Sequence, residues 1–115
     1  MIKINGIGID IVSINRIEKL YNQYKEKFTN KIFTQREIEE AINKGHFYQT
    51  LSGKFSAKEA FVKAVNFKVL DLKEIEVLSD KNGKPFINYQ DQQYSLLSIT
   101  HEKEYAAAVV IILDN

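Results

Sequence analysis

Three charged residues in two separate stretches of the chain have the types and the spacing needed to handle a phosphorylated substrate. Asp10 lies in GIGIDIV near the start, and Glu59 and Lys63 lie four residues apart in FSAKEAFVKA. Two carboxylates from separate elements can hold a hard divalent cation such as Mg²⁺, whose shell is completed by waters and phosphate oxygens. A lysine one turn from the glutamate can neutralise the same phosphates. The pattern therefore permits a site that binds a pyrophosphate and activates it for transfer.

Each of these residues also has a simpler structural interpretation. Asp10, just before a predicted helix, favours the positive end of the helix dipole. Glu59 and Lys63 form an i,i+4 pair in the favourable order, which stabilises a helix by about 0.2–0.5 kcal/mol. His101 lies at the mouth of a predicted hairpin, where a lone histidine is usually a turn residue. Taken one by one, these residues leave both interpretations open.

Composition limits the class of protein. The chain has 115 residues, of which 44% are hydrophobic and 27% are charged, and this is typical of one globular domain. A formal net charge of +1 argues against a general nucleic-acid binder, so a charged partner must be recognised by a local patch. The absence of cysteine excludes disulfides and thiolate metal sites. With no bilayer-length apolar stretch and no signal-peptide pattern, we predict a cytoplasmic protein without a nucleic-acid or membrane partner.

The elements that must position the three charged residues begin with a strand. Alternating isoleucines predict a strand over residues 2–12. Gly6 and Gly8 interrupt the pattern and indicate a bulge or a close approach of another backbone. Ser13 can then cap a helix over residues 14–24, whose apolar positions recur at helical spacing.

Two further helices are predicted in the middle of the chain. Thr34 and Glu37 have the spacing of a capping box, and Gly45 closes the helix that they begin. A longer helix follows over residues 46–66. Its polar residues recur at steps of four, three and four, and this spacing predicts a common polar stripe of Ser52, Ser56, Glu59 and Lys63.

The rest of the chain reads as β structure. Residues 73–80 and 86–89 form a predicted hairpin around the turn NGKP, and residues 94–100 and 105–113 form a second around HEKE. The last strand is apolar on both faces, so it needs cover from the helices or from another subunit. The predicted class is α+β, and self-association is plausible.

Three stretches in this order resemble the holo-acyl-carrier-protein synthases, the small single-domain members of the 4'-phosphopantetheinyl transferase superfamily. They are GIGIDIV, KFSAKEAFVKA and SITHEKEYAAAVVII, and the interval of roughly 45 residues between the first two is the one expected in that family. The resemblance implies one domain over residues 1–115. It also implies a small α+β fold in which an antiparallel sheet packs with a long helix and shorter helices.

The same resemblance implies a transferase. Such enzymes move the 4'-phosphopantetheine arm of coenzyme A to a serine of apo acyl carrier protein, for fatty acid biosynthesis, and release adenosine 3',5'-bisphosphate. By the family pattern, Asp10 and Glu59 bind Mg²⁺, and Lys63 contacts the phosphate under attack. Lys58 and His101 match positions associated with coenzyme A binding. On its own, Lys58 reads as a solvated or phosphate-facing neighbour of the site.

Further family features concern the nucleotide, the carrier and the assembly. The turn that contains Lys84 and Pro85 matches a family feature near the nucleotide. The first helix of family members docks the acidic carrier, so Arg16 and then Lys19 are the candidates for that contact; by default they are surface charges. Family members assemble as trimers with each active site at a subunit interface, and this would account for the apolar last strand.

The chain departs from the family pattern at three places. The segment after residue 64 lacks a glycine-rich turn, and this turn would form part of the pantetheine channel. Thr100 replaces a frequent serine and keeps the hydroxyl. Lys54 replaces a common arginine, so it keeps the charge but loses a bidentate phosphate fork.

Two other functions remain open at this point. One is a non-catalytic module that binds coenzyme A or a carrier protein, with the carboxylates as surface charges. The other is the same reaction on a carrier domain of peptide or polyketide synthesis, although the short length favours the fatty-acid type. The proton acceptor is either a metal-bound water or Glu59 acting indirectly, and the sequence does not distinguish Mg²⁺ from Mn²⁺.

Overall fold

The computed structural model describes residues 1–114, and in this part of the chain four α-helices and six strands follow the predicted α+β order. None of these helices is long and apolar enough to cross a bilayer. A short 3₁₀ turn precedes the second strand. The elements are β1 (Lys3–Ser13), α1 (Ile14–Tyr24), α2 (Glu26–Ile32), α3 (Gln35–Lys44), α4 (Phe47–Ala64), β2 (Glu76–Ser79), β3 (Pro85–Tyr89), β4 (Gln92–Tyr94), β5 (Leu97–His101) and β6 (Tyr105–Asp114).

The strands of residues 1–114 form two antiparallel sheets, with the orders β1-β6-β5 and β2-β3-β4. The first sheet pairs the start of the chain with its end, and Asp10 lies opposite Ala108. Helix α4 packs across β1 and β6. Its contact face carries Ala57, Ala60 and Ala64, all buried, and these small side chains let the helix approach the sheet closely. The end of β1 is thereby held against the middle of α4.

Two glycines of β1 make this close approach possible. A Cβ atom at Gly6 would lie 1.8 Å from the carbonyl oxygen of Ala64, and one at Gly8 would lie 1.9 Å from that of Ala60. The register of β1 against β6 also shifts between Ile4 and Gly6, which is the signature of a bulge. Both structural reasons that the sequence suggested for these glycines are therefore confirmed.

The predicted helix ends are confirmed by their hydrogen bonds. Ser13 Oγ accepts from the backbone N–H of Arg16 at 3.3 Å. Thr34 and Glu37 form the reciprocal capping box of α3, and Gly45 ends that helix with φ at 79°, in the left-handed region. These caps fix where α1 and α3 begin and end relative to β1 and α4.

Helix α2 was not predicted from the sequence. It has seven residues, too few to show a clear helical period, and Lys25 separates it from α1 with φ at 50° and ψ at −127°. Strand β4 was likewise not predicted as a separate element. Only two residues separate Gln92–Tyr94 from β5, and the sequence predicted one strand over residues 94–100. Neither difference changes the position of the site residues.

Glu37 has a second role that capping does not explain. The residue is fully buried, and its Oε1 accepts hydrogen bonds from the Thr34 N–H at 2.8 Å and from Lys58 Nζ at 2.9 Å. Its Oε2 accepts from the Val77 N–H at 2.8 Å. One carboxylate thus joins α3, α4 and β2 in the interior.

Lys58 is the cation of this buried pair, and its side chain is 0% exposed. Besides Glu37, its ammonium donates to the backbone carbonyls of Leu72 (3.1 Å) and Ile75. Burial lowers the pKa of Lys58, and the Glu37 charge opposes that shift. Because an ammonium has three N–H donors and all three are used, none remains for a phosphate. The expectation that Lys58 is solvated is wrong, and Lys58 leaves the candidate coenzyme A set.

The segment after α4, where the glycine-rich turn is missing, covers the core instead. Phe67 stacks on Tyr89 with ring centroids 5.5 Å apart, and both rings also lie against Phe61. Val65 and Val69 pack against the same buried cluster. This part of the chain is therefore anchored by apolar contacts rather than by a tight turn.

The outer face of the first sheet is apolar and open to solvent. On β1, Ile7, Ile9 and Ile11 are each 64–68% exposed. Their partners on β6 include Ile111, opposite Ile7, and Val109, opposite Ile9, and both are half-buried. Helix α4 covers the inner face of β6. The predicted cover is therefore present on one face of this strand and not on the other within residues 1–114.

The predicted polar stripe of α4 is partly buried. Ser52 and Ser56 are both 0% exposed, and Ser52 Oγ has no hydrogen-bond partner within residues 1–114. The stripe is polar in composition, but its first two members face the protein interior. Glu59 is half-buried and Lys63 is exposed, so only the C-terminal half of the stripe reaches solvent.

We expect Ser52→Ala to raise the free energy of unfolding by about 1 kcal/mol, because a buried hydroxyl without a partner costs about 1–3 kcal/mol. Alanine also has the higher helix propensity. Urea denaturation of the two proteins measures the difference. A loss of stability in the variant would mean that Ser52 Oγ forms a stabilising hydrogen bond in solution.

Candidate active site

The structure brings Asp10 and Lys63 together although they are 53 residues apart in the chain. Lys63 Nζ lies 3.4 Å from Asp10 Oδ1 and donates to the Ile9 carbonyl at 2.9 Å. Ser56 Oγ lies 2.9 Å from the Asp10 carbonyl oxygen and 3.1 Å from Asp10 Oδ2. The end of β1 therefore meets one face of α4 at a cluster of polar side chains.

Glu59 belongs to the same face of α4. It lies three residues after Ser56 and four residues before Lys63, so the three side chains are neighbours on the helix surface. Because both flanking residues contact Asp10, the Glu59 carboxylate projects from the side of α4 that faces Asp10. The two predicted carboxylates thus border one site from two elements.

The simple salt-bridge interpretation of Glu59 and Lys63 does not hold. Within residues 1–114, Glu59 forms no ion pair, and Lys63 pairs with Asp10 instead. The Lys63 side chain is 55% exposed, and the Asp10 side chain is 14% exposed. Lys63 is thus an exposed cation over a more buried carboxylate, and Glu59 keeps both carboxylate oxygens available.

The donor set fits a divalent cation that shares its shell with a ligand. Carboxylate oxygens are hard donors suited to Mg²⁺, which commonly takes one or two of them and fills its remaining positions with water and phosphate oxygens. No group of three histidine, cysteine or acidic side chains that could hold a metal occurs in residues 1–114. A closed structural metal site is therefore not built here, whereas an open one held by Asp10 and Glu59 is chemically consistent.

A second feature lies at the N-terminal half of α4, where a cavity of about 420 Å³ opens between α3, α4, the β2–β3 turn and β5. Two of the residues predicted to bind coenzyme A, Pro85 and His101, line it. Lys84, which belongs to the same predicted set, is exposed in the adjoining turn, where its backbone N–H donates to Asp80 Oδ1 at 2.9 Å. The lining residues are Glu40, Lys44, His46, Gln49, Thr50, Gly53, Lys54, Val77, Ser79, Gly83, Pro85, Ile99 and His101.

The floor of this cavity is charged. Lys54, only 4% exposed, donates to Glu40 Oε1 and to the Val77 carbonyl, each at 2.7 Å. Lys44 Nζ lies 3.8 Å from the same Glu40 oxygen and donates to Ser79 Oγ at 3.0 Å. Burial raises the pKa of Glu40, but its bonds to Lys54 and to the Ser79 N–H outweigh burial and hold the pKa below its usual value. Two lysines share one carboxylate, so the floor has an excess of positive charge.

Sequence reasoning missed Lys44 and His46 as cavity residues. The Gly45 cap marks the junction of α3 and α4 where both residues lie, but a helix cap does not show that a cavity forms there. The chain has two histidines, His46 and His101, and both line this cavity. In the sequence, Lys54 stood out only as a lysine in place of the arginine common in the family, and its burial against Glu40 could not be predicted.

The cavity and the carboxylate cluster lie along one helix. Gly53 lines the cavity, and Glu59 follows six residues later, which corresponds to about 9 Å along the helix axis. Arg16 and Lys19 are exposed on α1, which begins four residues after Asp10.

Comparisons with known proteins agree over nearly the whole chain. The family model of the 4'-phosphopantetheinyl transferase superfamily matches residues 6–110. The holo-[acyl-carrier-protein] synthase of Halothermothrix orenii is 41% identical, over 94% of this chain and 96% of its own length.

Two solved structures share the fold. The holo-(acyl-carrier-protein) synthase of Bacillus anthracis, in complex with CoA (3',5'-ADP), has a TM-score of 0.83 at 38% identity and covers 97% of this chain and 98% of its own. The holo-[acyl-carrier-protein] synthase of Neisseria meningitidis has a TM-score of 0.85 at 31% identity, with 98% and 100% covered. The resemblance drawn from three short stretches is therefore confirmed.

Proposed function

Because the chain belongs to the 4'-phosphopantetheinyl transferase superfamily, we propose that it is a holo-[acyl-carrier-protein] synthase. It transfers the 4'-phosphopantetheine arm of coenzyme A to a serine of apo acyl carrier protein and releases adenosine 3',5'-bisphosphate. The observation that carries this function is the contact of Asp10 with Ser56 and Lys63 of α4. It occurs in a chain that matches a relative of that name over 96% of the relative's length. The product serves fatty acid biosynthesis.

Asp10 and Glu59 would hold Mg²⁺. In support, they are the two carboxylates that border the cluster, and two carboxylates leave positions for the phosphates of coenzyme A. When bound, Mg²⁺ supplies charge neutralisation and a fixed orientation to the pyrophosphate. Lys63 is exposed, and its bonds to the Ile9 carbonyl and to Asp10 use two of its three N–H donors, so the third is free for the phosphate under attack.

The reaction then proceeds by displacement at phosphorus. The carrier serine hydroxyl gives up its proton to water while its oxygen forms a bond to the phosphorus that bears pantetheine, and the bond from that phosphorus to the bridging oxygen breaks. Lys63 stabilises the negative charge that develops on the transferred group. Adenosine 3',5'-bisphosphate departs with the bridging oxygen.

The nucleotide end of coenzyme A would occupy the cavity next to the N-terminal half of α4. His101 was expected to bind coenzyme A, and the turn with Lys84 and Pro85 was expected near the nucleotide; His101 and Pro85 line this cavity. Lys44 and Lys54 add positive charge that suits the phosphate of an anionic nucleotide. Lys58 is not part of this set, because its three donors are already used inside the protein.

The carrier would dock on α1. Arg16 and Lys19 are exposed there, and the helix begins beside the carboxylate cluster, so a carrier bound to α1 has its serine near the pyrophosphate. An acidic carrier is attracted by such a basic patch on an otherwise near-neutral protein. We place this reaction in the cytoplasm, and we treat residues 1–115 as one domain, of which the family match covers 6–110.

The assembly would be a homotrimer. The support is the exposed isoleucine row on β1, since burial of each such side chain contributes about 1.5–3 kcal/mol.

In solution, light scattering should then give three times the mass of one chain. Ile9→Lys should dissociate the assembly, because it places a charge in an apolar interface, whereas Ile42→Lys, at an equally exposed isoleucine of α3, should leave it intact. A monomeric wild-type protein would contradict the trimer.

The proposed reaction is tested by the nucleotide that it releases. Chromatography of a mixture of this protein, coenzyme A, Mg²⁺ and apo acyl carrier protein should show adenosine 3',5'-bisphosphate, and its formation should require the carrier. A non-catalytic binding module would bind coenzyme A and release nothing. Release only with a carrier domain of peptide or polyketide synthesis would keep the chemistry and change the partner.

A further inference from the structure

Ser56 makes an unusual contact for a serine inside a helix. Such hydroxyls commonly bond to the carbonyl four residues earlier on their own helix. Ser56 Oγ instead reaches across to β1, 2.9 Å from the Asp10 carbonyl oxygen and 3.1 Å from Asp10 Oδ2. The side chain is 0% exposed, so this contact is shielded from water.

The two oxygens of the Asp10 carboxylate are therefore held in different ways. Oδ2 is held by a buried hydroxyl at 3.1 Å, whereas Oδ1 is approached by an exposed ammonium, that of Lys63, at 3.4 Å. The lysine contact is long and exposed to solvent, whereas the serine contact is shorter and enclosed. Because a hydroxyl carries one hydrogen, Ser56 shares it between Asp10 Oδ2 and the Asp10 carbonyl oxygen, which lies 2.9 Å away. Since an ionised carboxylate has about four acceptor positions, one hydroxyl leaves room for a cation on the same group.

We propose that Ser56 is a positioning residue that fixes the Asp10 carboxylate in the orientation needed to bind the divalent cation. This inference rests on the proposed metal role of Asp10. It follows from the contacts that Ser56 sets the affinity for the cation more than the rate once the cation is bound. Groups that hydrogen-bond metal ligands from behind typically change metal affinity by about 10–100-fold when removed.

A purely structural role for Ser56 makes a different prediction. If the hydroxyl only ties α4 to the Asp10 carbonyl, its loss would lower stability and leave cation affinity unchanged. Ser52 is a matched control for this distinction. It lies one turn earlier on α4, is equally buried, and its hydroxyl has no partner within the described residues.

The experiment measures binding of Mn²⁺ by electron paramagnetic resonance, in the presence of coenzyme A and without a carrier. The proteins are the wild type, Ser56→Ala, Ser52→Ala and Asp10→Asn. We expect Ser56→Ala to bind Mn²⁺ about tenfold more weakly. Ser52→Ala should match the wild type, and Asp10→Asn should lose the site.

Transfer assays over a range of Mg²⁺ concentrations give a second readout. Ser56→Ala should need about tenfold more Mg²⁺ for half-maximal activity and should recover most of its kcat at saturation. Ser56→Thr, which keeps the hydroxyl, should restore the low requirement.

The outcomes distinguish failure of the Ser56 role from failure of the proposed metal site at Asp10. Wild-type Mn²⁺ affinity in Ser56→Ala, together with loss of binding in Asp10→Asn, overturns the role of Ser56 alone. Wild-type affinity in Asp10→Asn, or no binding to the wild type, overturns the metal assignment on which this inference depends.

Discussion

Replacement of Glu59 by glutamine should abolish phosphopantetheine transfer, with a fall in kcat/KM of at least about 10²–10³-fold. The amide that replaces the carboxylate lacks the negative charge with which Glu59 would hold Mg²⁺. Stability should not change, because Glu59 is half-buried and forms no ion pair within residues 1–114. Asp10→Asn should produce the same loss of activity.

Transfer assays and thermal unfolding of the same preparations measure both halves of this expectation. Glu39→Gln, at an exposed glutamate of α3, is the matched control and should keep full activity. Full activity in Glu59→Gln would refute its assignment as a metal ligand. A large fall in melting temperature would return Glu59 to a structural role.

The largest effect on stability is expected for Lys58→Met. The substitution leaves the Glu37 carboxylate in the interior without its cation, and it removes the donor from the carbonyls of Leu72 and Ile75. Breaking a buried ion pair by removal of one partner costs about 3–5 kcal/mol. Urea denaturation should therefore show a loss of that size, while Lys68→Met, at an exposed lysine, should change little.

The same variant separates the two roles considered for Lys58. If this lysine bound coenzyme A, Lys58→Met would keep its stability and raise the KM for coenzyme A. A stability change below about 1 kcal/mol would show that the Glu37 pair contributes little. The double variant Lys58→Met with Glu37→Gln should lose less than the sum of the two single variants, because the residues are in direct contact.

Local signals in the sequence were sufficient for most of the fold. The capping box of Thr34 and Glu37 depends on residues three positions apart, so it can be recognised without the structure. Gly6 and Gly8 interrupt a strand of alternating isoleucines, and this predicted a bulge or the close approach of a second backbone. Helix α2 lacked such a signal, because seven residues are too few to establish a period.

Tertiary contacts account for what the sequence did not reveal. From the sequence alone, Lys58 is expected at the surface. In the structure it is buried, because α4 is covered on several sides and Glu37 supplies a buried carboxylate to pair with the lysine. The partner of Lys63 was also mistaken by the local interpretation. An i,i+4 glutamate was available, but the end of β1 brings Asp10 to the same lysine.

The candidate site divides in the same manner. Asp10, Glu59 and Lys63 were predicted as site residues from residue type and order. The structure places Asp10 of β1 against Lys63, and Glu59 lies on the same face of α4 as Lys63. Lys44 and His46 were not identified, because their side of the cavity is formed by the junction of α3 with α4. Residues whose chemistry depends on a short motif can be found from sequence, and residues that only line a ligand require the fold.

The most direct test of the central claim is the intact mass of an apo acyl carrier protein after incubation with this chain, coenzyme A and Mg²⁺. We predict that the carrier gains the mass of one phosphopantetheine arm and that this gain is lost when a chelator removes the metal. An unchanged carrier mass, with well-folded protein and several carriers tried, would contradict the transferase function. A gain that persists with the chelator would leave the transfer in place and contradict the metal site at Asp10 and Glu59.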